Sequence, residues 1–422
     1  MTFSVAASNA SIRTIFVTQW FDPEPGASRG LPLAKWLSAH GHDIRVLTAF
    51  PNYPGGRLYP GYRMCWRQWE TMNGVPVLRV PLYPSHEYSI GARLMNYGSF
   101  ALSASTIGAA LIGPGDVGFV YHPPPTVGLA AVALKAFRGI PFVYHISDMW
   151  PESVVESGAL GDGLFGKATE RGISGWCDFV YRRASAITVL SPGFRKLLID
   201  RGVPAEKVHV IYNWVDESIF TPTVRDEKLA RALGFAGRFN VMYAGNLGTY
   251  QGLDTIIDAA VLLQDVPEVQ IVIAGTGPDE KRIRLFAADK GVKNILFLER
   301  RSQREMGAVN NLADVLLVHL LDRPIFHSTI PGKAAVAMAS GRPILMAVRG
   351  DAADTVLRSD CGLVIPPEDP HEMAAAIRRM HAMNPRAREA MGDRGRKFYL
   401  EHMALDLGAA RMDSLLRQVA RS

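Results

Sequence analysis

Short apolar runs rich in Val and Ile alternate along this chain with stretches whose apolar residues recur at helical spacing. Residues 12–18 (IRTIFVT) read as a buried strand, because a β-branched apolar run of that length suits a strand covered on both faces. Residues 30–40 then set Leu31, Leu33, Trp36 and Leu37 at helical intervals, and residues 43–49 (DIRVLTA) return to a strand. This strand–loop–helix–strand unit opens a doubly wound sheet. The pattern predicts further strands at 75–80, 117–122, 140–145, 186–190 and 208–211. Helices are predicted at 89–112, 126–137, up to Arg183, and 191–200. Residues 212–224 (YNWVDESIFTPTV) break the pattern as a linker, and it then restarts. Strands follow at 240–245, 269–274, 295–298, 315–319 and 362–364, with helices at 252–263, 278–290 and 306–311 and more helix to the end. Two such series in one chain predict two Rossmann-like α/β domains, with the cleft between them as the expected site.

The stretch 320–348 concentrates the chemistry. It reads as loop, Ala-rich helix and strand, with Ser328 and Thr329 as expected helix caps, Pro331 in the first turn, and Gly341 closing the helix. Backbone N–H groups at such a helix start, with the charge of Lys333 beside them, suit an anion and most simply a phosphate.

Composition narrows the choices. The 422 residues are 48% hydrophobic and 20% charged, as in globular proteins. Cys65, Cys177 and Cys361 lie far apart, in neither a disulfide framework nor a zinc spacing, which suits a reducing compartment. Residues 1–13 lack the apolar core of an export signal, and the longest apolar candidate, 100–112, is too short to span a bilayer. The net charge of +6 is uneven: residues 1–205 hold 18 Lys and Arg against 13 Asp and Glu, leaving 28 against 27 in the rest. Arg57, Arg63, Arg67 and Arg79 cluster against Glu70 alone, which makes an anionic membrane surface an expected partner. The aromatics there match no nucleic-acid module. The first turn lacks G-x-G-x-x-G, which argues against nicotinamide and flavin chemistry. His122 and His145 fall at strand ends, where this architecture places ligands, and the first loop (residues 19–29) carries Glu24 and Arg29.

Several short motifs fall in a telling order. They are YAGNLGTYQGL (243–253), VIAGTGP (272–278), FLERR (297–301), IPGK (330–333) and ASGRP (339–343), preceded in the first half by QWFDPEPGASR (19–29), PNYPGG (51–56) and DMWPES (148–153). Together they resemble the family-4 glycosyltransferases of GT-B fold, specifically the subgroup that builds bacterial O-antigens, capsules and exopolysaccharides and includes N-acetyl-fucosamine transferases. The resemblance implies two doubly wound Rossmann-like domains facing across a cleft. Residues 1–212 would bind the acceptor and 225–399 the donor, with 213–224 as linker and a helix at about 400–422 packing back on the first domain. The donor would be a nucleotide sugar, expected to be UDP-linked, and the acceptor a lipid-diphosphate-linked or other saccharide. No cofactor and no metal are expected, and the setting would be cytoplasmic, at the inner face of the plasma membrane. Gly245, Asn246, Leu247 and Gly248 would face the diphosphate with Gln251. Gly275 and Gly277 would close the nucleotide pocket, Arg301 would lie near the base, and Ser328, Thr329, Ile330, Pro331 and Lys333 would hold diphosphate and sugar. Pro25, Gly26, Arg29, Tyr53, His122 and His145 would handle the acceptor.

Three departures from the family pattern bear on mechanism. Asn246 and Gln251 replace the usual Arg and Lys, which leaves Lys333 as the main phosphate cation. The family's paired glutamates fall on Ser328 and Val336, so Asp351 or Asp354 would have to serve the ribose. Ser147 stands where relatives carry a histidine, next to Asp148. Lys333 would neutralise the leaving diphosphate, and Asp148 or Glu24 would serve as a base if the route is inverting. Competing readings are a UDP-sugar 2-epimerase and a non-catalytic module that binds sugar nucleotide; the sequence leaves the oligomeric state open.

Overall fold

The computed structural model describes residues 11–24, 29–85, 90–122, 124–156 and 163–422. The chain divides into two compact units. Unit 1 comprises residues up to 190, 194–211 and 408–422, and unit 2 comprises 191–193 and 212–407.

Unit 1 is built on eight strands: β1 (Ile12–Thr18), β2 (His42–Ala49), β3 (Gln68–Met72), β4 (Val75–Val80), β5 (Val117–His122), β6 (Phe142–Ile146), β7 (Ala186–Val189) and β8 (Val208–Val210). Their order is β3-β4-β2-β1-β5-β6-β7-β8. All pairs are parallel except β3 with β4. The predicted strands 12–18, 75–80 and 117–122 are found at those bounds, and their apolar side chains form the core. The antiparallel edge strand β3 (QWETM) was not predicted, since it alternates exposed and half-buried positions and carries no apolar run. The chain reverses its direction of growth between β1 and β5, so the loops after these strands flank the switch point where doubly wound sheets hold ligands. Helix 89–112 is observed as Ile90–Ser103 followed by a π-turn segment, Ala104–Gly108, and a last short turn. The terminal segment is tied to this unit: His42 Nε2 lies 2.6 Å from Asp413 Oδ1, and Arg417 Nη2 donates to the His40 carbonyl at 2.7 Å.

Arg79 does not belong to a basic surface. It is fully buried, donating to Glu70, to the Ala49 carbonyl at 2.8 Å and to the Asp22 carbonyl at 2.5 Å, so it ties loops together where bulk composition suggested a membrane-facing charge.

Unit 2 holds six parallel strands: β9 (Phe239–Ala244), β10 (Val269–Ala274), β11 (Ile295–Leu298), β12 (Val315–His319), β13 (Ile344–Ala347) and β14 (Gly362–Val364), in the order β11-β10-β9-β12-β13-β14. Apolar clusters cover both faces of the sheet, as an all-parallel sheet requires. Its switch point lies between β9 and β12. One prediction fails here. Ser328 and Thr329 do not cap the Ala-rich helix, because an unpredicted short helix, Pro324–His327, precedes it. Ser328 ends that short helix, and Thr329 Oγ1 donates back to the Ile325 carbonyl at 3.0 Å. The helix Gly332–Ala339 has Pro331 at its N-cap, without a side-chain cap bond. Gly341 lies just past its end at φ +62°, the left-handed position glycine tolerates.

Among the described residues, no helix is long and apolar enough to cross a membrane.

Candidate functional site

In unit 2 the loop after β9 is shaped by backbone against backbone. Gly245 N–H donates to the Ala274 carbonyl at 2.9 Å, and Leu247 N–H to the Thr276 carbonyl at 3.0 Å. A Cβ on Gly275 would lie 1.8 Å from the Gly245 oxygen, and one on Gly277 would lie 2.3 Å from the Leu247 oxygen. These glycines therefore serve first to let the loops after β9 and β10 lie in direct contact. Two of the loop's N–H groups are already committed to that contact. Leu247 is buried in the core and pins the loop, while Asn246 remains exposed.

Lys333 meets this loop from the first turn of helix Gly332–Ala339. A Cβ on Gly245 would lie 2.5 Å from the Lys333 Cε, so a side chain there would displace the end of the lysine from its present place. Lys333 Nζ donates to Gln251 Oε1 at 2.5 Å and stands 4.8 Å from the centre of the Tyr243 ring. The Tyr243 hydroxyl is 2.7 Å from the Asn246 carbonyl and 2.9 Å from Gln251 Oε1. Burial of its ammonium end lowers the pKa of Lys333 from 10.5 to about 8, although part of the side chain meets solvent.

His319, at the end of β12, completes this network and was not singled out from sequence. The rule that drew attention to His122 and His145, a histidine closing a strand, applies equally to it. The Glu368 N–H donates to His319 Nε2 at 3.1 Å, so the proton sits on Nδ1, which donates to the Gln251 carbonyl at 2.7 Å. Burial holds His319 below the ordinary histidine pKa, in its neutral form.

The other predicted donor residues are scattered. Lys333 and Val336 line a cavity of about 90 Å³ with Met242, Ala244 and Asn310. Asp354 does not join them. It is exposed and lines a separate cavity of about 290 Å³ with Asp351, Thr355 and Arg358. Arg301 pairs with Glu305 at 3.5 Å, next to the Ser302 capping box, and Ile330 is buried in the core. Among the described residues, no cluster of three or more His, Cys, Asp or Glu side chains is placed to hold a metal ion.

In unit 1, three predicted acceptor residues prove to be interior. Arg29, His122 and His145 are each exposed by 1% or less. Arg29 Nη2 donates to the Ile211 carbonyl at 3.0 Å and Nη1 lies 3.4 Å from His145 Nδ1, which also contacts Thr188 Oγ1 at 2.8 Å. Burial lowers His122 to about 3 and Arg29 to about 9, and it holds His145 neutral as well. Sequence position at a strand end, or for Arg29 in the loop after one, brought these side chains to the correct edge of the sheet but could not show that they point inward. Pro25 and Gly26 lie outside the described residues.

Glu24 is likewise not presented as a base. Its Oε1 accepts from the N–H groups of Asn52 at 2.7 Å and Tyr53 at 2.8 Å, and its Oε2 from Phe21 N–H at 3.1 Å. The carboxylate staples the loops after β1 and β2. Glutamine offers only one oxygen to those donors, so Glu24→Gln is expected to cost about 3 kcal/mol of stability, measured by urea unfolding of the full chain. A midpoint unchanged from the wild type would refute the staple.

What these loops display is an aromatic corner. The Trp20 ring lies 4.9 Å from that of Tyr53 and 6.4 Å from that of Tyr97, all three part-exposed. Burial raises the pKa of Tyr97 and Tyr121, and the charge of Asp148, in the loop after β6, adds to it. Asp148 remains open to solvent, yet the protein crowding its carboxyl hinders hydration and raises its pKa above the ordinary value.

Comparison with known proteins matches both halves. The family described as "Glycosyl transferase 4-like domain" matches residues 27–214, and "Glycosyl transferases group 1" matches residues 238–383. An Escherichia coli protein named for colanic acid biosynthesis, a glycosyl transferase, is 27% identical over 73% of this chain and 76% of its own. The D-inositol 3-phosphate glycosyltransferase 1 of Catenulispora acidiphila is 25% identical over 74% of this chain and 73% of its own. Among solved structures, sucrose-phosphate synthase of Thermosynechococcus elongatus superposes with a TM-score of 0.74 at 18% identity, covering 97% of this chain and all of that one. The Anabaena protein HepE in complex with UDP-glucose gives 0.71 at 17% identity, covering 96% and 100%. With its halves matched in order by the two domains of one enzyme family, and its sheets built as in these structures, the chain belongs to the family-4 glycosyltransferases of GT-B fold.

Proposed function

We propose that this glycosyltransferase moves a sugar from a nucleotide-sugar donor, UDP-linked, to a lipid-linked or other saccharide acceptor in the synthesis of a bacterial surface polysaccharide. The observation that carries the donor reading is the placement of Lys333 against Gly245, Tyr243 and Gln251 at the switch point of unit 2. A lone ammonium held beside a glycine loop and the start of a helix suits a diphosphate, whose negative charge grows as the bond to the sugar breaks. Neutral Gln251 and Asn246 stand where relatives place cations, so Lys333 would bear most of the charge complementarity. The UDP-glucose bound by HepE and the name of the Escherichia coli relative support the donor class and the polysaccharide role. We assign the acceptor to unit 1, where Asp148, with its raised pKa, would receive or share the acceptor hydroxyl proton beside the Trp20–Tyr53–Tyr97 corner. A thermal-shift panel of nucleotide sugars tests the donor assignment, since a ligand of the folded state raises the melting temperature. UDP-sugars are expected to give the largest rise, and a panel without any response would refute it.

The donor reading carries a pH dependence. Only the protonated lysine attracts the diphosphate, and its pKa is about 8. Affinity for UDP is therefore complete below that value and falls as pH rises through it, by about tenfold between pH 7 and pH 9. Titration calorimetry measures this; constant affinity across the range would remove Lys333 from the site.

A further inference from the structure

The helix Ile90–Ser103 is inverted for an element packed on a sheet. Asn96 and Ser103 face inward beside Phe100, while Leu94, Met95 and Leu102 are 65%, 58% and 62% exposed. With the exposed Gly91 and Gly98, these three cover an arc of about 100° on the outer surface. The inner polar groups are satisfied: Asn96 Nδ2 donates to the Tyr83 carbonyl at 2.7 Å, Gln19 Nε2 donates to Asn96 Oδ1 at 2.7 Å, and Ser103 Oγ donates to the Pro81 carbonyl at 2.5 Å. Hydrogen bonds therefore fix the orientation, and the described residues leave the apolar arc uncovered.

A second feature lies at the same end of β4. Strand β3 pairs antiparallel with β4, Gln68 opposite Arg79, so the chain before Gln68 runs on past the end of β4. The helix is tied to the residues that follow β4, by Ser103 to Pro81 and by Tyr83 N–H to Ser99 Oγ at 2.7 Å. The segment before and within β3 exposes Trp66 by 75%, Trp69 by 45% and Met64 by 38%. Arg57, Arg63 and Arg67 are exposed in the same stretch, while the nearby Glu70 is engaged with buried Arg79.

We infer that this surface docks on an anionic lipid bilayer, the tryptophans and the helix arc sinking to headgroup depth and the arginines meeting lipid phosphates. Tryptophan favours that boundary, and arginine near a charged leaflet is attracted to it. Surplus positive charge beside the exposed tryptophans selects a lipid surface over a second copy of this chain, whose Arg57, Arg63 and Arg67 would oppose each other. The inference does not depend on donor chemistry, because vesicle binding needs no substrate.

Cosedimentation of the full chain with phosphatidylcholine vesicles, with and without phosphatidylglycerol, tests it. Binding is expected to be at least about tenfold tighter on the anionic vesicles and to weaken with added salt. The double variant Arg63→Ala, Arg67→Ala should bind about thirtyfold more weakly. Leu94→Ser, at an exposed position that leaves folding intact by thermal scan, should also bind more weakly. Equal binding to neutral and anionic vesicles, or variants that bind like the wild type, would overturn the inference. So would a wild-type dimer that Leu94→Ser dissociates and that binds no vesicles.

Discussion

Lys333→Ala is expected to lower turnover by about 10²- to 10³-fold, the usual effect of removing a group that meets charge as it develops. The stability of unit 2 should change little. The lysine ammonium contributes a contact to Gln251 and to the Tyr243 ring, and after its removal Gln251 Oε1 still shares the Tyr243 hydroxyl proton, at 2.9 Å, with the Asn246 carbonyl. Burial has already lowered the lysine to about 8, so desolvation costs this charge in the free protein, and a bound diphosphate would restore its partner. Loss of turnover with an unchanged unfolding midpoint is the expected pair of results. A loss of both together would make Lys333 a structural residue.

Gly275→Ala carries the largest expected effect on stability. Its backbone sits at φ +144°, and an added Cβ would stand 1.8 Å from the Gly245 oxygen. That neighbour is backbone, held by the Gly245 N–H bond to Ala274, so it has no rotamer through which to retreat. Overpacking and the unfavourable φ together should cost about 3 kcal/mol or more. The Gly245 loop would be displaced with it, and Lys333, whose stem crosses Gly245, would shift. Gly332→Ala is the comparison: its Cβ meets nothing nearer than 4.0 Å, and its stability should stay near that of the wild type. Urea unfolding of both variants separates the two cases.

The fold was legible because its strands are short apolar runs between turn residues, as 12–18, 269–274 and 315–319 show at the observed bounds. An edge strand such as QWETM lacks that signal, since only half its positions are covered. The helix start at Gly332 was misread because Ser and Thr are good caps wherever they occur, and nothing local reveals that a preceding short helix has used them. The site was legible unevenly. Glycine spacing located the loops after β9 and β10, but not that the glycines contact each other. Glu24, Arg29 and His145 carried the right chemistry at the right edge, yet their partners lie far along the chain: Asn52 for Glu24, Ile211 for Arg29 and Thr188 for His145. Such long-range pairing leaves no local mark. His319 carried the same strand-end mark as His122 and His145, but its partners Gln251 and Glu368, which join it to the Lys333 network, are distant in sequence on both sides.

The most direct measurement is release of nucleoside diphosphate from UDP-sugars by the wild type and by Lys333→Ala, each with and without a lipid-diphosphate saccharide. Release is expected to require the acceptor and to be largely lost in the variant. Conversion of the donor sugar without any acceptor, or tight nucleotide binding without turnover of any donor, would contradict it.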